Sequence, residues 1–370
     1  MVKFTQNTMK ISAVKNHQIS FKSAACQKVA HDVAELILSY RRPLLSETPS
    51  LQKQEYLISY VTQKIMPSIK KERPIPMVIL GFPMKSASAK KVISAHADRG
   101  EYESLEHIKG LTQRIRDIYP AGSDFRIFSD GRIFVETIYK ANDSNVSTYL
   151  KDCKKILRSQ NASDVKIYSA EDFYTGSYDK VRQNLFSDFP VSREDVHKKL
   201  MQTKETRDYL TNLSVFYAND MRGADPSLTV KQAKARAKDI AEGVIQTSSS
   251  YDKMIRNIYG GDYVRLSVHP YPSINPDNKI GFFLNKDFLQ EPTPWHSAPV
   301  RITSPEGKEH FIFEKKSVIE STGSELIPDK DSKGAYYQYP EHLPYDFSLS
   351  FKENFKKLVS DGKIVIQNNS

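Results

Sequence analysis

Cysteine is almost missing from this chain of 370 residues, where Cys26 and Cys153 are the only two. Two thiols cannot build a disulfide scaffold or a cysteine-ligated zinc site, and a reducing cytoplasm is the compartment expected. No run approaches the roughly 18 consecutive apolar residues that a membrane span needs. The first stretch, MVKFTQNTMKISAVKNHQISF, has no continuous apolar centre, so neither a membrane helix nor a secretory leader is expected. The glycine patterns GxxxxGK[ST] and GxGxxG do not occur, so no ATP or NAD loop of the usual kind is indicated. Internal repeats and low-complexity tracts are missing too.

Present instead is an ordinary globular composition, 39% hydrophobic and 11% aromatic, with a net charge of +10. Excess positive charge favours anionic partners. The lysine pairs at 70–71, 90–91, 154–155, 198–199, 315–316 and 356–357 are scattered, however. No basic arm or nucleic-acid motif accompanies them, and no nucleic acid is expected as partner.

Along the chain, short apolar runs alternate with helical periods. Val29, Val33, Leu36, Ile37 and Tyr40 recur at helical spacing, and a second helix carries Leu57, Tyr60, Val61 and Ile65 toward Pro67. Met77-Val78-Ile79-Leu80 reads as a strand buried on both faces. A helix with Leu105, Ile108, Leu111 and Ile115 follows, then a strand at 125–128, a helix at 144–158 and a strand at 165–168. That order predicts an α/β fold, a Rossmann-like parallel sheet flanked by helices, in which ligands sit at the carboxyl ends of the strands. Residues 170–228 give few periodic runs. Residues 230–258 read as two helices, and YVRLSVH and KIGFFLN as strands. SPEG between VRIT and EHFIFEK predicts a β-hairpin in a C-terminal extension, residues 301–370, packed on a main domain of residues 25–300.

Four stretches place polar groups at strand ends. GFPMKS offers Lys85 and Ser86, suited to one phosphate and equally to an exposed turn. SDG offers Asp130, with Arg132 just beyond it; the carboxylate could orient or deprotonate an amine, and Asp-Gly is also a common turn. In RLSVHPY, alternation puts Arg265, Ser267 and His269 on one strand face. Arg265 can fork onto a carboxylate or phosphate and His269 can move protons, or both can serve an internal salt-bridge network. TPWH sets His296 beside Trp295, the only tryptophan. Neither histidine has the His-x-Asp/Glu neighbour of an iron triad, and no metal is expected.

GFPMKS after a strand, SDG with Phe134, and then RLSVHP with PWH resemble the isocyanide synthase family of pyoverdine-chromophore and dityrosine biosynthesis (PvcA-type), over roughly residues 25–300. Glu136 stands where that pattern has an aspartate. The resemblance implies a metal-free enzyme without a resident cofactor. It would condense the amine of tyrosine or tryptophan with ribulose 5-phosphate, whose keto carbon becomes the isonitrile carbon. A downstream oxygenase would act on the product. In that reading Lys85 and Ser86 hold the sugar phosphate, and Arg265 clamps the phosphate or the amino-acid carboxylate. His269 and His296 move protons, Asp130 orients the amine, and Ser267, Trp295 and Arg132 contact substrate. Two alternatives stay open: an N-formylated product of the dityrosine type, and an inactive phospho-ligand-binding relative.

Overall fold

The structure is a computed structural model that describes residues 24–43, 50–268, 279–285 and 292–364. His269, expected to move protons, therefore lies outside the described residues. Helix α1 (24–39) and α2 (Leu51–Lys70) precede the first strand. The last turn of α2 runs through Pro67 instead of stopping before it, and Lys71 closes it with backbone bonds.

A five-stranded sheet follows, with β1 (Ile75–Leu80), β2 (Ser123–Phe128), β3 (Val165–Tyr168), β4 (Val264–Ser267) and β5 (Ile280–Gly281). Its order is β3-β2-β1-β4-β5, and every pairing is parallel. The expected crossovers are α3 (Arg99–Ile118) between β1 and β2, and α5 (Asp143–Ser159) between β2 and β3. A one-turn helix, α4 (Gly131–Phe134), follows β2 directly. Strand alternation sorts the two faces. Met77 and Ile79 join a core with α1, α2, α3 and α5, whereas Val78 packs on the opposite side.

That opposite side is covered by the segment with few periodic runs, which folds as α6 (Tyr178–Asp188), α7 (Arg193–Gln202), α8 (Lys204–Ala224) and α9 (Val230–Tyr259). The two helices expected over 230–258 are one. Thr247 and Ser249 return their hydroxyls to the carbonyls of Gly243 and Ile245, so the polar TSSS stretch continues the helix rather than breaking it.

The expected hairpin is present as antiparallel β6 (Ala298–Thr303) and β7 (Glu309–Glu314), and β6 runs through residues 300 and 301. After α10 (Lys316–Glu320), β8 (Glu325–Ile327) and β9 (Tyr336–Gln338) complete a four-stranded sheet. With α11 (Phe351–Ser360), this sheet encloses an apolar cluster of its own, around Val300, Ile312, Tyr337 and Phe351. Backbone bonds from Lys316 to Lys91 and from Arg99 to Ala335 fasten it to the main sheet's connections. No helix among the described residues is long and apolar enough to cross a membrane.

Candidate active site

Strand order reverses between β1 and β4, because β1 connects outward to β2 and β3 while β4 and β5 lie on its other side. In open parallel sheets that is where a crevice forms at the carboxyl ends. A cavity of about 200 Å³ lies there. Its floor is Leu80 at the end of β1 with Gly81 after it, Asp130 after β2, and Arg265 and Ser267 on β4 with Val268 after it. Its roof comes from one stripe of α8, Tyr209, Leu213, Tyr217 and Asp220, and one of α9, Val244, Ile245, Ser248, Ser249 and Asp252. Trp295 and His296 close one side and Phe134, Ile138 and Tyr139 another.

The loops after β1 and β2 are in direct backbone contact. The Ser129 hydroxyl donates to the Phe82 carbonyl at 2.9 Å, and Phe82 itself sits at a φ of 55°. A Cβ on residue 131 would lie 2.0 Å from the Pro83 carbonyl oxygen, so only glycine permits the SDG turn to approach. Gly81 meets the Trp295 ring in the same way, at 2.9 Å. The Ser86 amide donates to the Trp295 carbonyl at 2.8 Å, which joins the β1 loop to the PWH segment.

Asp130 projects from this platform with its Oδ1 buried and without a hydrogen-bond partner among the described residues. Burial raises its carboxyl to about 7, helped by Asp252 and opposed by its own backbone amide and by Arg265. Arg265 gives Nε and Nη2 to the Asp252 Oδ1, at 3.1 and 2.6 Å, and Nη1 to the Leu266 carbonyl. Lys279 takes the other oxygen of Asp252 at 2.6 Å. Burial would raise Asp252, but the two cations hold it far below the ordinary carboxylate range. Two cations thus meet one anion beside the cavity.

A second cluster lies toward His296. Asp220 accepts from the Ser86 hydroxyl and from Lys91, both at 2.7 Å, and the Lys91 ammonium rests 4.1 Å above the Phe216 ring. The His296 ring stands edge-on to the same phenyl at 4.9 Å. Burial would raise Asp220, but His296 and Lys91 hold it low.

The cavity thus gathers Lys85, Ser86, Asp130, Arg265, Ser267, Trp295 and His296. Two expected roles need correction. The Lys85 ammonium places all three hydrogens in protein, on Asp98, Glu101 and the Pro294 carbonyl, each at 2.8 Å, and its side chain has no exposed area. It has no hydrogen left for a phosphate. Arg132 does not line the cavity; it is buried against Asp143, Glu171 and Ser147, beneath the Tyr178 ring. Glu136 pairs with Arg182 at 3.0 Å.

Sequence reasoning missed Asp220, Asp252, Lys279 and Lys91. The i, i+4, i+8 spacing of Tyr209, Leu213 and Tyr217 was the one local sign of a lining face on α8. Among the described residues, the acid and histidine group close enough to share an ion is His31, Asp32 and Glu35, on α1 and outside the cavity.

Comparison with known proteins adds to this geometry. A family model described as "Pyoverdine/dityrosine biosynthesis protein" matches residues 65–327. An L-tryptophan isonitrile synthase of Fischerella ambigua is 29% identical over 311 residues, covering 83% of this chain and 94% of that protein. An L-tyrosine isonitrile synthase of Xenorhabdus nematophila is 25% identical over 310 residues, covering 81% and 89%. The crystal structure of PvcA from Pseudomonas aeruginosa matches with a TM-score of 0.75 at 25% identity, over 84% of this chain and 100% of that one.

Proposed function

Because the chain belongs to the pyoverdine/dityrosine biosynthesis family and is an isocyanide synthase, we propose that it converts the amine of tyrosine or tryptophan with ribulose 5-phosphate as the carbon donor. One observation carries the reading. A near-neutral carboxyl, Asp130, faces a cavity that has a cationic end at Arg265 and Lys279 and apolar aromatic walls. Both co-substrates carry an anionic group, a phosphate or a carboxylate, and one also carries an ammonium that must lose a proton before it can attack a ketone. Asp130 takes that proton. The guanidinium and Lys279 anchor an anionic group, while Phe134, Leu213 and Trp295 receive the aromatic side chain. His296, held by the charge of Asp220, and His269 serve the later proton transfers. Ser86 fixes Asp220 and thus the loop.

The test is incubation of purified protein with tyrosine, tryptophan and ribulose 5-phosphate carrying 13C at the keto carbon. The expected product is one carbon heavier and two hydrogens lighter than the amino acid, with the label in the added carbon. A product heavier by one carbon and one oxygen would move the assignment to N-formylation. Unlabelled product would exclude the keto carbon as donor, and product formed equally well without the sugar would exclude the sugar.

Arg265→Lys keeps the charge but loses the planar fork that holds Asp252 through two nitrogens. We expect kcat/KM to fall about 10-fold or more, in line with the ~1.5–3 kcal/mol of a charge-assisted hydrogen bond. Steady-state kinetics on folded protein checks this. An unchanged kcat/KM would mean that charge alone is used there.

A further inference from the structure

We propose that Tyr217 contacts the reacting oxygen, donating its hydroxyl hydrogen to the ketone oxygen of the co-substrate while the amine adds to it. The inference rests on the reading of the reaction given above and adds a residue that neither sequence motif nor relative supplies. Tyr217 lies on the stripe of α8 that faces the cavity and is 8% exposed. Its hydroxyl has no hydrogen-bond partner among the described residues, although the buried phenols of Tyr119, Tyr149 and Tyr251 each have one. The hydroxyl is not among the sealed-off polar atoms of the described residues, so its free hydrogen is open to the cavity and to whatever binds there.

Its surroundings define what it can do. Asp130 and Asp220 line the same cavity and both act on it electrostatically. Burial pushes its phenol well above the ordinary value, with Tyr209, Asp220 and Asp130 adding to the effect. It therefore stays protonated throughout the working range and acts as a donor only. Asp130, on the wall of the same cavity, is the acceptor.

The step balances with these two groups. Asp130 takes a proton from the ammonium, and the nitrogen lone pair forms the C–N bond. The π pair of the carbonyl moves onto oxygen, where the Tyr217 hydrogen bond meets the charge that develops. A proton passes from nitrogen to that oxygen, giving a carbinolamine. Protonated Asp130 then returns its proton as the C–O bond breaks, releasing water and an iminium. Tyr217 never loses its hydrogen.

Tyr217→Phe removes one oxygen and leaves the ring that packs under α8. Loss of a single preorganised donor to a developing oxyanion typically costs ~10²–10³-fold in rate. We expect single-turnover isonitrile formation, followed by mass spectrometry, to fall by about that factor. Amino-acid binding, measured by calorimetry, should stay within about twofold, and the pH midpoint set by Asp130 should not move. A merely structural tyrosine would lower thermal stability and both substrate affinities together. A rate within about threefold of the parent, or a loss of rate matched by the loss of affinity, overturns the proposal. If the parent protein makes no isonitrile from either amino acid, the assigned reaction falls, and this role for Tyr217 falls with it. An active parent and an equally active variant remove Tyr217 alone.

Discussion

Asp130→Asn is expected to abolish useful turnover while making the protein more stable at alkaline pH. The amide has the carboxyl's shape but cannot accept the substrate's proton, and lost general base catalysis typically costs ~10²–10⁴-fold. Stability should move in the opposite direction. Burial raises Asp130 from 3.8 to about 7, so the folded chain holds a proton that the unfolded chain releases. The stabilisation from this proton is complete below pH 4 and declines as pH rises to about 7, where it is lost. The asparagine variant lacks that decline. At pH 8 it should exceed the parent by on the order of a few kcal/mol, with no such gap at pH 4. The parent's rate should rise with pH through the same midpoint near 7, since only the carboxylate works as base. Denaturant melts at both pH values and single-turnover rates across the range check the two halves. Equal stability at pH 4 and 8 with an unchanged rate would remove Asp130 from the site.

Lys85→Met should damage the fold rather than ligand binding. The ammonium is the only cation bonded to Asp98 and Glu101 among the described residues, and neither carboxyl is appreciably exposed. Removing one partner of a buried ion pair typically costs about 3–5 kcal/mol, because the remaining charge is left uncompensated. The network also spans three elements. Asp98 and Glu101 form the capping box of α3, Tyr149 on α5 donates to Glu101 at 2.9 Å, and the Pro294 carbonyl belongs to the segment bearing Trp295. A second change, Glu101→Gln, should recover part of the loss by removing one stranded charge. Ribulose 5-phosphate affinity of whatever folded protein remains should change little. A stable Lys85→Met protein whose only defect was sugar-phosphate binding would restore the direct phosphate role that the geometry denies it.

Much of the parallel sheet was legible from the chain alone. Met77 to Leu80 is apolar on both faces because helices cover both, while Phe125 to Phe128 and Val165 to Tyr168 keep their apolar residues on alternate positions with Arg126 and Lys166 between them, and both patterns announce strands. The four polar strand ends were legible for the same reason, since polar groups stand out against those runs. Their partners were not. Asp252 meets Arg265 and Lys279, and Asp220 meets Lys91, across residues far apart in sequence or on different elements. Lys85 shows the limit most clearly. A lysine in a loop looks the same whether its ammonium faces a phosphate or two carboxylates from the next helix, and only the packing of Asp98 distinguishes them. The merging of two expected helices into α9 has a similar cause, because TSSS is a break in a surface segment and a buried seam here.

The position of β4 has a consequence for how the chain acquires its shape. β4 pairs with β1 near the centre of the sheet, yet residues 81–263 lie between them. Closing so long a loop is slow relative to forming the local β1-α3-β2-α5-β3 unit. During synthesis that unit emerges first, with the free edge of β1 unpaired until α6 to α9 have been made. An unpaired central strand as apolar as Met77-Val78-Ile79-Leu80 is a site for association with other chains. Recombinant yield should therefore depend on translation speed and growth temperature more than on the thermal stability of the finished protein. Truncations ending before β4 should aggregate.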